Sequence, residues 1–282
     1  MLQDIIAKIE GLDEAAMAAA KARQDTLTKP PGSLGRLEEL SIQLAGITGK
    51  EIPAIKDKVI ITMAGDHGVV AQGVSAFPQE VTPQMVLNFL YGGAAINVLA
   101  KHVGARITVV DMGVAAEMEA HPLLVNKKVA LGTANMTKGP AMTREQSEQA
   151  IIAGVEIVEA EIEKGLDIVG TGDMGIGNTT PSAAIAAVLT GIEPAKLAGR
   201  GTGVDDEGLK RKIDAIERAL EINKPDPKDG LDILTKVGGF EIAGLVGVIL
   251  GAAANHKPVM VDGYISTAAA MIAVAITPAV RP

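Results

Sequence analysis

The chain has 282 residues, 48% of them hydrophobic, and a mean hydropathy of +0.27, enough for a large core in one domain or two modest ones and too apolar for a disordered segment. Its formal charge of −8, with no run of basic residues, argues against a nucleic-acid partner while leaving room for a local anion site. It contains no cysteine, which excludes disulfides, thiolate metal sites and thiol nucleophiles and fits a reducing cytoplasm. With 2% aromatics and 32 glycines, the core must be aliphatic, with backbones in close approach.

The start, Met1 to Asp4, lacks a basic stretch followed by an apolar one, so no signal peptide is expected. Residues 1–48 read as a helical segment. Asp13 is placed to cap an Ala-rich helix that stops near Thr28-Lys29-Pro30-Pro31-Gly32, and Ser33 to cap the next. Residues 49–282 change character. Short apolar runs at 58–64, 106–110, 166–169 and 258–261 predict strands buried on both faces, separated by helices over roughly 81–101, 143–164, 180–190, 205–223 and 240–254. Such alternation predicts an α/β fold: a doubly wound, mostly parallel sheet with helices on both faces, plus a small helical subdomain from the N-terminal segment. The uncharged stretch 263–280 nears membrane-span length, but Ser266, Thr267, Thr277 and Pro278 mark it as a buried helix, not a span. The long, Gly/Pro-punctuated loop 113–142 reads as a functional surface.

Each predicted strand runs into polar chemistry: Gly65-Asp66-His67-Gly68, then Asp111-Met112-Gly113, then Gly170 through Thr180, then Asp262-Gly263-Tyr264. Ligands of open α/β sheets bind outside the carboxyl ends of the strands, so these loops describe one crevice. Within 170–180, Gly175, Gly177, Asn178, Thr179 and Thr180 can surround a phosphate at a helix start, and Gly199-Arg200-Gly201-Thr202-Gly203 offers a second cradle with Lys212 beyond it. Both loops also read as plain tight turns, and Lys212 as a solvated helix residue. Residues 170–175 satisfy the dinucleotide fingerprint, which keeps a nicotinamide-dependent oxidoreductase as an alternative, although Ile176-Gly177-Asn178 separates the glycines from the helix they should open. Asp66-His67 has no second histidine at metal-ligand spacing and reads as a hydrogen-bonded pair that shapes the crevice. Asp173 is a carboxylate in a phosphate-type loop, which is costly unless a cation or a developing positive charge faces it. A ribosyl centre with oxocarbenium character supplies such a charge.

The ordered motifs resemble one family, the nicotinate-nucleotide–dimethylbenzimidazole phosphoribosyltransferases of cobalamin lower-ligand synthesis. The likeness runs from Thr28 to Pro282 through Lys29-Pro30-Pro31-Gly32-Ser33-Leu34-Gly35-Arg36, Gly65-Asp66-His67-Gly68-Val69 and Gly92-Gly93-Ala94-Ala95-Ile96-Asn97. It continues through Gly139-Pro140-Ala141-Met142-Thr143-Arg144, Gly175-Ile176-Gly177-Asn178-Thr179-Thr180-Pro181, Lys236-Val237-Gly238-Gly239-Phe240 and Pro278-Ala279-Val280-Arg281-Pro282. The resemblance implies transfer of phosphoribose from nicotinate mononucleotide to dimethylbenzimidazole or a related base, with inversion, in a cytoplasmic homodimer that needs no cofactor or metal. It implies that Asp173 lies near the ribose and Lys212 at the phosphoribosyl site. Gly175, Asn178, Thr179, Gly201 and Gly203 correspond to the nucleotide cradle, and Phe77, Gln84 and Met85 to the lining of the acceptor base. Two departures stand out. The family usually has Glu where Asp173 stands, and it places its general base, a glutamate in a Leu-Gly-Glu-Gly context, beyond the position of Pro282. A 282-residue polypeptide is therefore expected to be a poor transferase or a binder without turnover, with Ile5, Ile6 and Ile9 left uncovered.

Overall fold

The computed structural model describes residues 1–281. Among the described residues, five strands form one wholly parallel sheet: β1 (Lys58–Gly65), β2 (Ala105–Gly113), β3 (Leu124–Asn126), β4 (Ile168–Met174) and β5 (Val259–Met260), in the order β3-β2-β1-β4-β5. The helices are α1 (Leu2–Ile6), α2 (Glu14–Thr26), α3 (Arg36–Thr48), α4 (Val81–Leu90), α5 (Ala95–Val103), α6 (Arg144–Glu163), α7 (Thr179–Thr190), α8 (Pro194–Leu197), α9 (Asp206–Asn223), α10 (Gly230–Val237), α11 (Phe240–Ala254) and α12 (Gly263–Ile276). From β1 the chain winds outward through β2 to β3, then returns to place β4 on the other side of β1. The switch point therefore lies between β1 and β4, where an open α/β sheet leaves a crevice.

Alternation along β1 assigns the two faces. Val59, Ile61 and Met63 are fully buried and join the main core under α11, while Lys58, Ile60 and Thr62 face a cleft on the other side. Over β1 and β2 that second face is closed by Val86 and Leu90 of α4, packed on Ala64 and Val109. Glycine permits the core to be this dense with almost no aromatics. A Cβ on Gly154 of α6 would come within 2.0 Å of the Gly244 carbonyl oxygen in α11, and one on Gly247 within 1.9 Å of the Ile151 carbonyl oxygen. Any side chain there would force the two helices apart.

Several expectations need correction. The helix expected over 81–101 is two helices, because Gly92 at φ 79° turns the chain between α4 and α5. β4 runs on to Met174, so Gly170 through Asp173 are strand, not loop. Gly170 pairs with Ile60 and Gly172 with Thr62, which leaves no glycine-rich turn for a dinucleotide and removes the oxidoreductase reading. Within 113–142, Gly113 closes β2, Leu124–Asn126 forms an edge strand, and the N–H of Thr133 donates to the Asp66 carbonyl oxygen at 2.9 Å. Much of that segment is therefore a cover over the sheet. Ser33 does not cap α3: its N–H bonds the Pro30 carbonyl in a turn, and Gly35 at φ 53° opens the helix. Asp13 does cap α2, accepting from the Ala16 N–H at 2.9 Å. Ile5 is not left uncovered either; it is 9% exposed in the main core, with Ile9 packed beside it. Among the described residues no helix is long and apolar enough to cross a membrane, and α12 has 14 residues, about 21 Å of helix.

Candidate active site

Two turns and one lysine build the positive end of the crevice. After β4 the chain makes a tight turn in which the Asn178 N–H donates to the Gly175 carbonyl at 3.1 Å, and Gly177 takes φ 87°. A Cβ on Gly177 would strike Val70 at 2.6 Å, so the residue is fixed by space as well as by conformation. The turn delivers the chain into α7, whose first turn carries Thr179 and the fully buried Thr180. Lys212 reaches the same place from α9. It is 1% exposed, and its ammonium donates to Thr179 Oγ1 at 3.1 Å and to the Gly199 carbonyl at 3.0 Å. Gly201 closes over it at φ 54°, where a Cβ would lie 2.8 Å from Lys212 Nζ.

Among the described residues Lys212 has no carboxylate partner. Burial pulls its pKa below the usual lysine range, as expected of a cation held out of water without an anion. Such a group suits an anionic ligand and is not a solvated helix lysine.

Carboxylates make up the other end. Asp173, the penultimate residue of β4, accepts from Asn178 Nδ2 at 2.8 Å. Burial pushes its carboxyl up to about 6, while the Asn178 hydrogen bond restrains the rise, Glu241 and Asp262 add to it, and His67 opposes it. Asp66 is buried at the end of β1, accepts from the Ala115 N–H at 2.8 Å, and is likewise raised chiefly by burial. Asp262, exposed beyond β5, lines the same cleft. His67 does not pair with Asp66 through its ring. Its Nε2 lies 2.6 Å from an oxygen of Glu241, in the first turn of α11. Residues 178 and 179 are adjacent, so one short turn holds the carboxylate end and the ammonium end in fixed relation.

From Asp173 a cleft of about 760 Å³ opens along the uncovered face of β1, β4 and β5. Met85 and Phe89 of α4 form its apolar wall, with Ile60 and Gly172 on its floor. Of the three residues expected at the acceptor base, Met85 lines this cleft; Gln84 is exposed and does not. Phe77 is half exposed, in a loop tied to the second glycine turn by the Ala76 N–H bond to Thr202 Oγ1 at 2.9 Å. Gly203, at φ 94°, sits in that second turn, clear of any neighbour. Sequence reasoning missed Glu241, which shows in the chain only as one acidic residue opening an apolar helix. It also missed Thr82, whose hydroxyl accepts from the Ile176 N–H at 3.1 Å and anchors the phosphate-type turn to α4.

A parallel sheet with a helix-opening turn and an unpaired buried lysine at its switch point defines a nucleotide-handling α/β protein. A family model described as "Phosphoribosyltransferase" matches residues 9–282. The chain is 60% identical, over all 282 of its residues, to a nicotinate-nucleotide–dimethylbenzimidazole phosphoribosyltransferase of Roseiflexus sp. (strain RS-1), and spans 80% of that protein. It is 58% identical to the enzyme of the same name from Dehalococcoides mccartyi (strain ATCC BAA-2100), again over 80% of that protein. The crystal structure of CobT from Thermus thermophilus superposes with a TM-score of 0.91 at 46% identity, covering 95% of this chain and 80% of that one. The chain belongs to this phosphoribosyltransferase family.

Proposed function

We propose that this chain transfers phosphoribose from nicotinate mononucleotide to dimethylbenzimidazole or a closely related base, releasing nicotinate and forming the ribazole phosphate. The observation that carries the reading is the link, through the adjacent Asn178 and Thr179, between a buried lysine without a carboxylate partner among the described residues and a half-buried carboxylate. The substrate has the same polarity: a phosphate at one end and a cationic pyridinium on the ribose at the other.

Lys212, the glycine turns and the start of α7 hold the phosphate. Asp173 faces the anomeric carbon, where positive charge grows as the bond to the nicotinate nitrogen breaks and its electron pair returns to the ring. The acceptor base enters the apolar cleft beside Met85, and its nitrogen forms the new bond on the face opposite the departing ring. Its second nitrogen must lose a proton as the bond forms.

Calorimetry tests the reading. Nicotinate mononucleotide should bind, NAD should bind more weakly, and mass spectrometry should find ribazole phosphate when dimethylbenzimidazole is supplied. Tighter binding of NAD would overturn it. We also place the protein in the cytoplasm as a homodimer. Exposed apolar residues on α4, on α5 and between them support the dimer, since Leu87, Tyr91 and Val98 are 40%, 75% and 65% exposed and none of them lines the cleft. Val98→Lys should convert a dimer to monomer in sedimentation experiments; an unchanged mass would remove this surface as the interface.

A further inference from the structure

One buried charged pair has no part in the chemistry above. His67, just beyond β1, and Glu241, at the start of α11, are 1% and 0% exposed and 2.6 Å apart. An ion pair so deep is an expensive way to join two elements, because both charges lose their hydration and an apolar pair would hold the same ground.

Three glycines are shaped around it. A Cβ on Gly239 would lie 2.3 Å from His67 Cε1, and one on Gly65 would lie 3.0 Å from Glu241 Oε2. One on Gly175 would lie 3.3 Å from His67 Nε2 and 3.4 Å from Glu241 Oε1. Gly175 opens the turn that presents Asn178 to Asp173. The pair is therefore packed directly beneath the carboxylate end of the crevice.

We propose that His67 and Glu241 form a buried imidazolium–carboxylate pair that positions Asp173 and the Gly175–Asn178 turn against the cationic end of the nucleotide. The proposal rests on the nucleotide reading above and names two positioning residues for that site. Neither touches the substrate; each acts through Asp173 and the turn.

The charges around the pair agree with this. Burial alone would lower the pKa of His67, but Glu241, then Asp66 and Asp173, outweigh it and raise it above the ordinary histidine value. Glu241 lies in the first turn of α11. Around Asp173, His67 is the cation that favours the charged carboxylate, against Glu241 and Asp262, which oppose it. Losing the imidazolium thus has a definite sign: Asp173 retains its proton to higher pH, and the carboxylate end loses its charge near neutrality.

The test compares wild type with His67→Gln, titrating each by calorimetry over a range of pH that brackets neutrality, with two probes, nicotinate mononucleotide and ribose 5-phosphate. At neutral pH the variant should bind nicotinate mononucleotide at least tenfold more weakly, its affinity recovering only at higher pH. Ribose 5-phosphate, which lacks the cationic ring, should change by less than threefold. Unchanged nicotinate mononucleotide binding, or an equal loss for both probes at every pH, would overturn the proposal. Failure of wild type to bind nicotinate mononucleotide would instead count against the nucleotide reading. Should His67→Gln not fold, the unaltered protein still decides. Its buried histidine ring, followed by NMR, should be an imidazolium at neutral pH and shift when nicotinate mononucleotide is added; a neutral ring would defeat the idea.

Discussion

The two ends of the crevice are held by adjacent residues, Asn178 and Thr179, yet are charged by opposite strategies. At the Lys212 end a single lysine is buried without a counter-ion among the described residues, bonded to a hydroxyl and a carbonyl. At the other end three carboxylates, Asp66, Asp173 and Glu241, gather around one histidine. The first end lacks an anion and the second holds an excess of them. Both arrangements cost the protein stability, and the proposed ligand, with a phosphate at one end and a positively charged ring nitrogen at the other, would relieve both. That complementarity separates a site from a merely buried polar cluster, which would be neutralised within itself.

The comparison can be broken most directly at Asp173. A carboxyl raised to about 6 from an ordinary 3.8 binds more protons in the folded state than in the unfolded one between those two values. It therefore costs stability above about pH 6, and the cost fades as pH falls toward 3.8; its size is on the order of 3 kcal/mol. Asp173→Asn should accordingly raise the melting temperature above neutral pH, lose that gain as the pH falls to about 4, and weaken nicotinate mononucleotide binding. Thermal melts across pH check the first two, and a variant no more stable than wild type above neutral pH would mean that Asp173 is not strained.

At the other end, Lys212→Ala should weaken binding of nicotinate mononucleotide and ribose 5-phosphate alike, by about 1–3 kcal/mol, since both carry the phosphate it is proposed to hold. Calorimetry with the two ligands sharpens the contrast: a variant that loses only nicotinate mononucleotide would place Lys212 at the ring. The smallest effect is expected for Gly201→Ala. The added Cβ would crowd Lys212 Nζ and Thr179 Oγ1 at a backbone angle L-residues resist, which should cost about 1 kcal/mol of stability and a few-fold in phosphate affinity. Equal stability and affinity would show that the loop relaxes freely.

What the sequence determined by itself was the local chemistry. Apolar runs ending in polar residues located all the strands except β3, a three-residue edge strand too short to show a period; two helices outside the expected ranges are α8, a single turn, and α10, which Asp229 caps. Gly175, Gly177, Asn178 and Thr179 were legible as a helix-opening turn because glycine and small polar residues have few other uses at that spacing. Only the tertiary structure decided what that chemistry faces. Lys212 reads as solvated because Lys210-Arg211-Lys212 is a charged run, and only the rotation of α9 against α7 buries the third of these and not the first two. His67 stood out in the sequence only beside Asp66; its true partner Glu241 is 174 positions away, and nothing local distinguishes that residue from an ordinary helix-start acid. The open face of β4 and β5 was equally invisible. Periodicity reports that a strand has two sides, but which side stays uncovered depends on where α4 and α5 come to rest across the sheet.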